Sequence, residues 1–560
     1  MKVFKALGSI FKAYDYRDKL LSVAAVAIFL LMVVKMMVFP YGFFDFGSSD
    51  LYTEGLVSKN GIQNLNPLFV DYNEADREVS RLLFSGLMKY NPEMRAVVDD
   101  MGQLSINEEK TEYTFKIREG LQWSDGKTVT ASDVSFTYSD IILSDTFPNQ
   151  ILTTNFAGVE FEQIDDMTVK FTLEKPNIFF VTNFTTGILP AHILSGVGAH
   201  DLLQHDFNKM PVGSGPYMAT APVEKFADGR MQVTLERSPY YSGEHSNIEQ
   251  MRIITYPTME ELITEISSVN GVVKITGEDK AYFEESERFQ LVPYELPQYT
   301  AVFLNMESKL LKDNENVRLA LQKAVDKEVL IDILGSKKAV DTPLMELNQE
   351  DWLYQASEEQ AQGALKEAGF EYADSDTEKL GIRYNNDEEA LELNFVARLY
   401  DEGTPQFEEV KETVTYLQDV WEGIGFSIQV ELLPQDMFNE RIMSRTYDLL
   451  LVGQSLGYNL DTYSYWHSTQ ADPMGQNLSN YKSFNVDSMI ENVRSEFDPE
   501  IRTEQLNTLA EQIKDDTPAV FLYRPVYYYA LDGKISGLSM EGVVFPGDRF
   551  AGISLWKFER

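Results

Sequence analysis

Apolar and polar positions follow two different periods along this chain. Alternation at every second residue predicts strands over residues 113–118 and 167–173. Beyond about residue 301, short apolar strand patterns alternate with apolar residues at helical spacing. The strands predicted there cover 302–305, 391–396, 427–432 and 447–452, and the helices cover 317–334, 359–368 and 410–424. This alternation predicts an α/β body with a substantially parallel sheet.

One N-terminal stretch is apolar without any period. Residues 20–39 are apolar or small apart from Lys35, and as a helix they would rise about 30 Å, the thickness of a bilayer core. The first 19 residues carry five bases and two acids, so the positive-inside rule places them in the cytoplasm and the body outside. We predict a cytoplasmic basic segment at 1–19, a single-pass transmembrane anchor at 20–40 and a tether at 41–50. A cleaved signal peptide is the alternative.

Charge and cysteine content exclude several classes of protein. The chain has 88 acidic and 48 basic residues and a formal charge of −40, which repels nucleic acid and argues for a solvated surface. It has no cysteine, which excludes disulfides, thiolate metal sites and cysteine nucleophiles. A lipid-modified cysteine is excluded too, so any membrane attachment must come from the polypeptide itself.

Seven segments, in order, resemble the bacterial extracellular solute-binding proteins of family 5. That family includes the oligopeptide-, dipeptide- and nickel-binding components of ABC importers. The similar segments are 65–68 (LNPL) with 81–92 (RLLFSGLMKYNP), 113–138 (YTFKIREGLQWSDGKTVTASDVSFTY), 211–217 (PVGSGPY), 316–331 (NVRLALQKAVDKEVLI), 364–370 (ALKEAGF), 417–432 and 447–453.

The resemblance implies a two-lobed, periplasmic-binding-protein-like α/β fold of type II. Lobe one would cover 51–300, with an extra subdomain inserted at about 76–200, and lobe two would cover 301–520. Residues 521–560 would return to lobe one. Crossing strands between the lobes are expected near 299–305 and 519–523.

The resemblance also implies a function. The expected protein is a monomeric, extracytoplasmic substrate-binding component of an ABC importer that captures peptides or peptide-like solutes by hinge closure, without a cofactor. Its partners would be the permease and ATPase subunits. Two alternatives remain open: a ligand-sensing or chaperone-like surface protein without an import role, and a binder of a non-peptide solute such as a metal–chelator complex. We predict no enzymatic activity, because no nucleophile motif or zinc-protease motif occurs.

Candidate ligand contacts concentrate after the predicted strand at 447–452. Residues 453–470 are rich in aromatic side chains with polar tips and follow the carboxyl end of that strand, where α/β proteins tend to bind ligands. The candidate cleft residues are Tyr458, Asp461, Tyr463, Tyr465, Trp466, Asn64, Asn66, Tyr217 and Tyr299.

The same stretch departs from the peptide binders that it resembles. They usually carry an aspartate here that anchors the amino terminus of the ligand, and Gly457 occupies that position in this chain. Either Asp461 takes over the ammonium contact or no such contact exists.

Other motif residues are predicted to be structural. Arg118 and Asp133 are expected to form an ion pair or caps, and Arg318 an intramolecular salt bridge. Gly213 and Gly215 are expected to supply backbone with positive φ.

Overall fold

The computed structural model describes residues 51–71, 73–277, 279–344, 353–372, 381–458, 461–472 and 475–559. The transmembrane anchor predicted at 20–40, with its flanks at 1–19 and 41–50, lies outside these residues. Within the described ranges, no helix is both long enough and apolar enough to cross a membrane.

The strands are numbered in chain order. They are β1 (Leu51–Val57), β2 (Met88–Asn91), β3 (Ala96–Asp99), β4 (Gly102–Ile106), β5 (Glu112–Ile117), β6 (Glu160–Gln163), β7 (Thr168–Thr172), β8 (Tyr217–Ala219), β9 (Glu224–Lys225), β10 (Met231–Arg237), β11 (Gln250–Tyr256), β12 (Gly271–Ile275), β13 (Phe289–Glu295), β14 (Gln298–Leu304), β15 (Lys337–Ala339), β16 (Glu371–Tyr372), β17 (Arg383–Tyr384), β18 (Glu392–Arg398), β19 (Ser427–Leu433), β20 (Leu449–Ser455), β21 (Ala519–Asp532), β22 (Ile535–Ser536) and β23 (Lys557–Phe558).

The α-helices are numbered in the same way. They are α1 (Glu74–Leu83), α2 (Ala131–Ser135), α3 (Gln150–Asn155), α4 (Ala191–Leu194), α5 (Ala199–Leu202), α6 (Met259–Thr264), α7 (Asp279–Glu284), α8 (Glu315–Lys323), α9 (Lys327–Leu334), α10 (Glu358–Glu367), α11 (Pro405–Gly423), α12 (Gln435–Ser444), α13 (Tyr463–Trp466), α14 (Phe484–Ser495) and α15 (Pro499–Asp516). A π-helix at Phe136–Ile142 continues α2. Two 3₁₀ segments lie at Ile178–Thr185 and at Pro546–Leu555, and the second is kinked at Gly552.

One long strand connects two halves of the main sheet. The strand order is β19-β18-β20-β14-β21-β12-β1-β11-β10-β8, with β13 and β15 also paired to β21. The first half of β21 pairs with β14, from Phe303 opposite Ala519 to Thr300 opposite Tyr523. Its second half pairs with β13, so β13 and β14 run side by side with β21 from one half of the sheet to the other.

Prolines mark the crossing between the two halves. Pro297 separates β13 from β14, and Pro525 lies near the middle of β21. Proline has no backbone N–H to donate, so neither residue can add an N–H to the hydrogen bonds of the sheet. At the crossing the backbone N–H of Leu456 donates to the Pro297 carbonyl, and that of Val526 donates to the Ser336 carbonyl.

The two halves of the sheet have separate hydrophobic cores. We call the body around β1 and β8–β13 lobe one, and its buried residues include Tyr52, Leu82 and Trp556. Lobe two is the body around β14, β15 and β18–β20. Its sheet is covered on one face by a core that contains Trp421, and on the other by a core that contains Trp466 and Phe521. A separate four-stranded sheet, β4-β5-β7-β6, packs within the core of lobe one.

Lobe two contains fewer parallel strand pairs than the sequence predicted. Strands β18, β19 and β20 pair in parallel, but β14 pairs antiparallel with both β20 and β21. The helix predicted at 317–334 is also divided into α8 and α9. Its interruption has a local cause, because the Asp326 side chain accepts hydrogen bonds from the backbone N–H groups of Glu328 and Val329 and so begins a new helix.

The two motif glycines are required by close packing and not by positive φ. A Cβ atom on Gly213 would lie 1.9 Å from the carbonyl oxygen of Leu83, and one on Gly215 would lie 2.5 Å from that of Leu82. Neither glycine has a positive φ angle. The turn therefore packs directly onto the last turn of α1, and the prediction that these glycines have a positive φ is wrong.

The structural roles of three charged motif residues also differ in part from the prediction. Asp133 caps α2 by accepting from the backbone N–H of Thr130, as expected of a cap, and is not paired with Arg118. Among the described residues Arg318 makes no salt bridge, and its guanidinium donates instead to the backbone carbonyl oxygens of Leu311 and Asp516.

Candidate functional site

A large cavity lies between the two lobes. Its volume is about 1410 Å³, and both lobes contribute to its walls. Lobe one supplies residues from α1, from the hairpin β2–β3 and from the C-terminal segment 537–555. Lobe two supplies nine described residues between 455 and 470, together with Gln476 and Arg494. A cavity at the junction of two bodies is a usual location for a ligand site.

Tyr458 crosses from lobe two to the wall of lobe one. It follows β20, directly after Gly457, whose φ of +68° places the chain in the left-handed region that glycine tolerates. The Tyr458 ring stacks on Tyr90 with centroids 4.7 Å apart and meets Phe545 edge-on at 4.9 Å. Burial raises the pKa of Tyr458 well above its ordinary value, so the phenol stays protonated and can donate.

Asp548 organises the wall that Tyr458 meets. It lies in the first turn of the 3₁₀ helix at 546–555 and accepts from the backbone N–H groups of Val544 and Phe545. The same carboxylate accepts from the Tyr458 hydroxyl at 2.8 Å and from Arg81 Nη2 at 2.6 Å. These contacts satisfy the buried carboxylate and fix its position.

A buried arginine lies behind that wall. Arg549 Nη2 lies 2.9 Å from Glu54 Oε1 and 2.6 Å from Glu78 Oε2, and all three side chains are inaccessible or nearly so. Two carboxylates thus share one guanidinium, and burial raises the pKa of Glu78 to about 7. The group joins β1, α1 and the C-terminal segment of lobe one.

Asp461 lines the cavity but already has a cationic partner. Its carboxylate lies 3.4 Å from Nε of Arg494, and it accepts from the backbone N–H of Tyr463. Burial raises the pKa of Asp461, and Arg494 opposes that shift. The Arg494 guanidinium also lies over the Tyr463 ring, 4.3 Å from its centroid.

Four of the predicted site residues are brought together at the cavity. Tyr458, Asp461, Tyr463 and Tyr465 all line it. The Tyr465 hydroxyl donates to the backbone carbonyl of Ser455 in its own lobe, and the Tyr463 ring stacks on His467. Described residues between 455 and 470 therefore supply most of the lobe-two wall.

The other five predicted site residues do not line the cavity. Trp466 and Tyr299 are each 1% exposed and belong to the lobe-two core. Tyr217 is buried in lobe one, where its hydroxyl donates to the Ile248 carbonyl. Asn66 and Asn64 fold their own loop: Asn66 donates to Asn208, and Asn64 Oδ1 accepts from the Asn66 backbone. Each of the five occupies a core position or makes a local hydrogen bond and does not face the cavity.

Several wall residues were missed by the sequence analysis. Arg81, Tyr90, Phe545 and Asp548 line the cavity, yet no motif identified them as site residues. The spacing of Arg77 and Arg81 by four residues on α1 was a weak signal that both could face one surface. Contact between Arg81 and Asp548 spans 467 positions and has no local signature.

The part of the chain that the structure describes contains no group of three or more histidine, aspartate or glutamate side chains placed to hold a metal ion. The polar groups that line the cavity include the ion pairs of Arg81 and Arg494 and the phenols of Tyr463 and Tyr465. Such walls bind ligands by hydrogen bonding, charge and aromatic contact.

Known proteins share both the sequence pattern and the fold. The profile of the family described as "Bacterial extracellular solute-binding proteins, family 5 Middle" matches residues 99–476. The oligopeptide-binding protein AppA of Bacillus subtilis is 24% identical over 492 residues, which is 83% of this chain and 85% of AppA.

Solved structures show the same architecture. AppA from Bacillus subtilis in complex with a nonapeptide superposes with a TM-score of 0.69 at 21% identity, covering 92% of this chain and 100% of that one. NikZ from Campylobacter jejuni in complex with Ni(L-His) gives a TM-score of 0.70 at 22% identity, covering 91% and 100%. The fold is the two-lobed, mixed α/β fold of periplasmic binding proteins. Since the family profile matches more than half of its length, the chain belongs to the bacterial extracellular solute-binding proteins of family 5.

Proposed function

We propose that this protein is the extracytoplasmic substrate-binding component of an ABC importer and that it captures peptides or peptide-like solutes between its lobes. The observation that carries the proposal is the interlobe cavity, with a volume of about 1410 Å³ and aromatic and polar walls from both lobes. Membership of the family supports the importer role. The permease and ATPase subunits would be its partners.

The size of the cavity supports an extended ligand over a small chelate. Sites for drug-sized molecules usually enclose about 300–1,000 Å³, and this cavity is larger. An extended peptide must also bury its backbone amides and carbonyls, each at a cost of about 1–3 kcal/mol if unpaired. Phenols and carboxylates such as those of Tyr463, Tyr465 and Glu541 are suitable partners for such groups.

The charges of the walls favour a neutral or basic ligand. Five cationic residues line the cavity or lie directly behind its wall, and four of them form ion pairs; they are Arg81, Lys89, Arg494 and the buried Arg549. The fifth, Arg77, lies over the Phe545 ring. Four lining carboxylates have no ion pair among the described residues; they are Asp71, Glu93, Glu244 and Glu541. The ligand therefore meets more uncompensated negative than positive charge.

We propose that no side chain of the cavity is dedicated to binding the amino terminus of a peptide. Gly457 has no side chain to offer, and the Asp461 carboxylate already lies beside Arg494. We propose that main-chain and side-chain contacts along the cavity hold the ligand and that its amino terminus is not singled out.

Attachment to the membrane through residues 20–40 and a monomeric state are also proposed. The support for the anchor is the length of the apolar run, the basic residues before it and the lack of cysteine. We also propose lobe boundaries near residues 300 and 520, an inserted subdomain at about 76–200 and a return of the chain to lobe one at 521–560. The prolines at the crossing of β13–β14 and β21 support a hinge there.

Titration with three matched nonapeptides tests the proposed ligand class. The peptides share six apolar and polar residues and differ at three internal positions that carry lysine, serine or glutamate. Full-length protein should bind the lysine peptide about tenfold or more tightly than the glutamate peptide, because each partly exposed charge contact contributes about 0.2–1 kcal/mol. Isothermal titration calorimetry gives the three dissociation constants.

A matched variant tests the source of the preference. Glu244→Gln combined with Glu541→Gln keeps the size of both side chains and removes two negative charges, so the ratio of the dissociation constants should fall by severalfold. Absence of binding for all three peptides would contradict the peptide proposal. Equal binding of all three would contradict the role of the carboxylates alone.

A further inference from the structure

Tyr458 follows strand β20 of lobe two, but its side chain contacts residues of lobe one. Its ring stacks on Tyr90 and meets Phe545 edge-on, and the Arg81 guanidinium lies 5.4 Å from its centroid. Its hydroxyl donates to Asp548. These partners are all residues of lobe one, so the ring and the hydroxyl of Tyr458 contact the opposite lobe.

Phe179 makes the reciprocal crossing. It lies in the 3₁₀ helix at 178–185, whose neighbours Phe180 and Phe184 pack in the core of lobe one. The Phe179 side chain instead packs against the lobe-two core that contains Trp466. Close by, Lys175 Nζ lies 4.0 Å from Glu491 on α14.

The contacts of Tyr458 and of Phe179 with the opposite lobe lie at the same cavity. Tyr458 and Phe179 line it, one extending from each lobe into the other. The ring and hydroxyl of Tyr458 are already occupied by Tyr90, Phe545 and Asp548, which leaves it poorly suited to hold a ligand. Contacts of this kind favour whichever arrangement of the lobes contains them.

We propose that Tyr458 and Phe179 form a reciprocal aromatic latch that holds the lobes closed in the absence of ligand. The inference rests on the proposed function, because it concerns the closing of the proposed binding cavity. The latch pre-organises the cavity, so it strengthens ligand binding by adding to the stability of the closed form. It also slows ligand entry, since the latch must open first.

The lack of cysteine makes a direct distance measurement possible. Asn60 and Glu402 are exposed residues next to Lys59 and Asp401, whose side chains meet across the lobes with Nζ 3.0 Å from Oδ2. Cysteines introduced by Asn60→Cys and Glu402→Cys in the full-length protein would carry the only two spin labels. Double electron–electron resonance then reports the separation of the lobes without any ligand.

The expected result is one short distance for ligand-free protein with the native latch. Tyr458→Ala and Phe179→Ala should each add a population at longer distance, and Tyr458→Phe, which loses only the hydrogen bond to Asp548, should add a smaller one. Tyr465→Ala is the matched control, because that tyrosine lines the cavity but bonds within its own lobe. It should leave the short distance unchanged.

Peptide binding gives a second, independent readout. Tyr458→Ala should raise the association rate several-fold and weaken the affinity about tenfold, and saturating peptide should restore the short distance. A long distance in the ligand-free native protein, or no change in Tyr458→Ala, would overturn the latch. Because the distances are measured without ligand, they decide the latch even if no peptide binds, and that outcome would count against the proposed function separately.

Discussion

Replacing Arg549 with methionine is expected to destabilise the folded protein by about 3–5 kcal/mol. Arg549 is fully buried and pairs with Glu54 and Glu78, whose side chains are also buried. Methionine has a similar length but no charge, so the variant leaves two buried carboxylates without their cation, although Glu54 keeps the hydrogen bonds from the Tyr52 and Tyr529 hydroxyls. Taking a charge out of water without a partner costs several kcal/mol. Urea unfolding followed by circular dichroism measures the loss.

A surface pair of the same type is the matched control for this prediction. Arg441 Nη2 lies 2.7 Å from Glu431 Oε2, but about a third of each side chain is exposed. Arg441→Met should therefore cost no more than about 1 kcal/mol. Adding Glu54→Gln and Glu78→Gln to Arg549→Met should recover part of the lost stability, since the uncompensated charges are then gone. Equal effects of the two methionine variants would contradict the structural role of the buried cluster.

Replacing Trp466 with alanine is expected to cost about 3–5 kcal/mol of stability. The indole stacks on the Phe303 ring and also lies beside the Phe521 ring, with 5.9 Å between ring centroids in both pairs. The core around it also contains side chains of helices α14 and α15. Removing it leaves a cavity that the surrounding side chains can fill only in part. The midpoint of urea unfolding should shift accordingly.

The same variant separates a core role from a ligand-binding role. Trp466 does not line the interlobe cavity, so the folded fraction of Trp466→Ala should bind peptides within about twofold of the native affinity. Trp466→Phe, which keeps an aromatic ring beside Phe303, should lose less stability than the alanine variant. A variant that keeps its stability but loses affinity would show that Trp466 belongs to the ligand site.

The elements of lobe two followed from the sequence because their periods are strong. The strand predicted at 391–396 corresponds to β18 at Glu392–Arg398, and the helix predicted at 410–424 corresponds to α11 at Pro405–Gly423. The direction of the strands did not follow, because alternation of apolar residues is the same in parallel and antiparallel pairs. The sequence therefore could not predict that β14 pairs antiparallel with both of its neighbours, β20 and β21.

The candidate site followed from composition only in part. Aromatic residues with polar tips fit a ligand wall, but they fit a core equally well when a hydrogen bond is at hand. Tyr463 lines the cavity while Tyr299 is buried with its hydroxyl on Gln454, and no local pattern distinguishes the two. The contact of Tyr458 with Asp548 depends on how two lobes meet, which residue spacing does not encode.

Photo-crosslinking tests most directly whether a peptide occupies the space between the lobes. A nonapeptide with a central benzophenone side chain is bound to full-length protein, irradiated and mapped by mass spectrometry after digestion. The account predicts cross-links in residues 537–555 of lobe one and 455–470 of lobe two, both lost when an excess of unlabelled peptide is present. Cross-links confined to the outer surface of one lobe, or unaffected by the competitor, would contradict it.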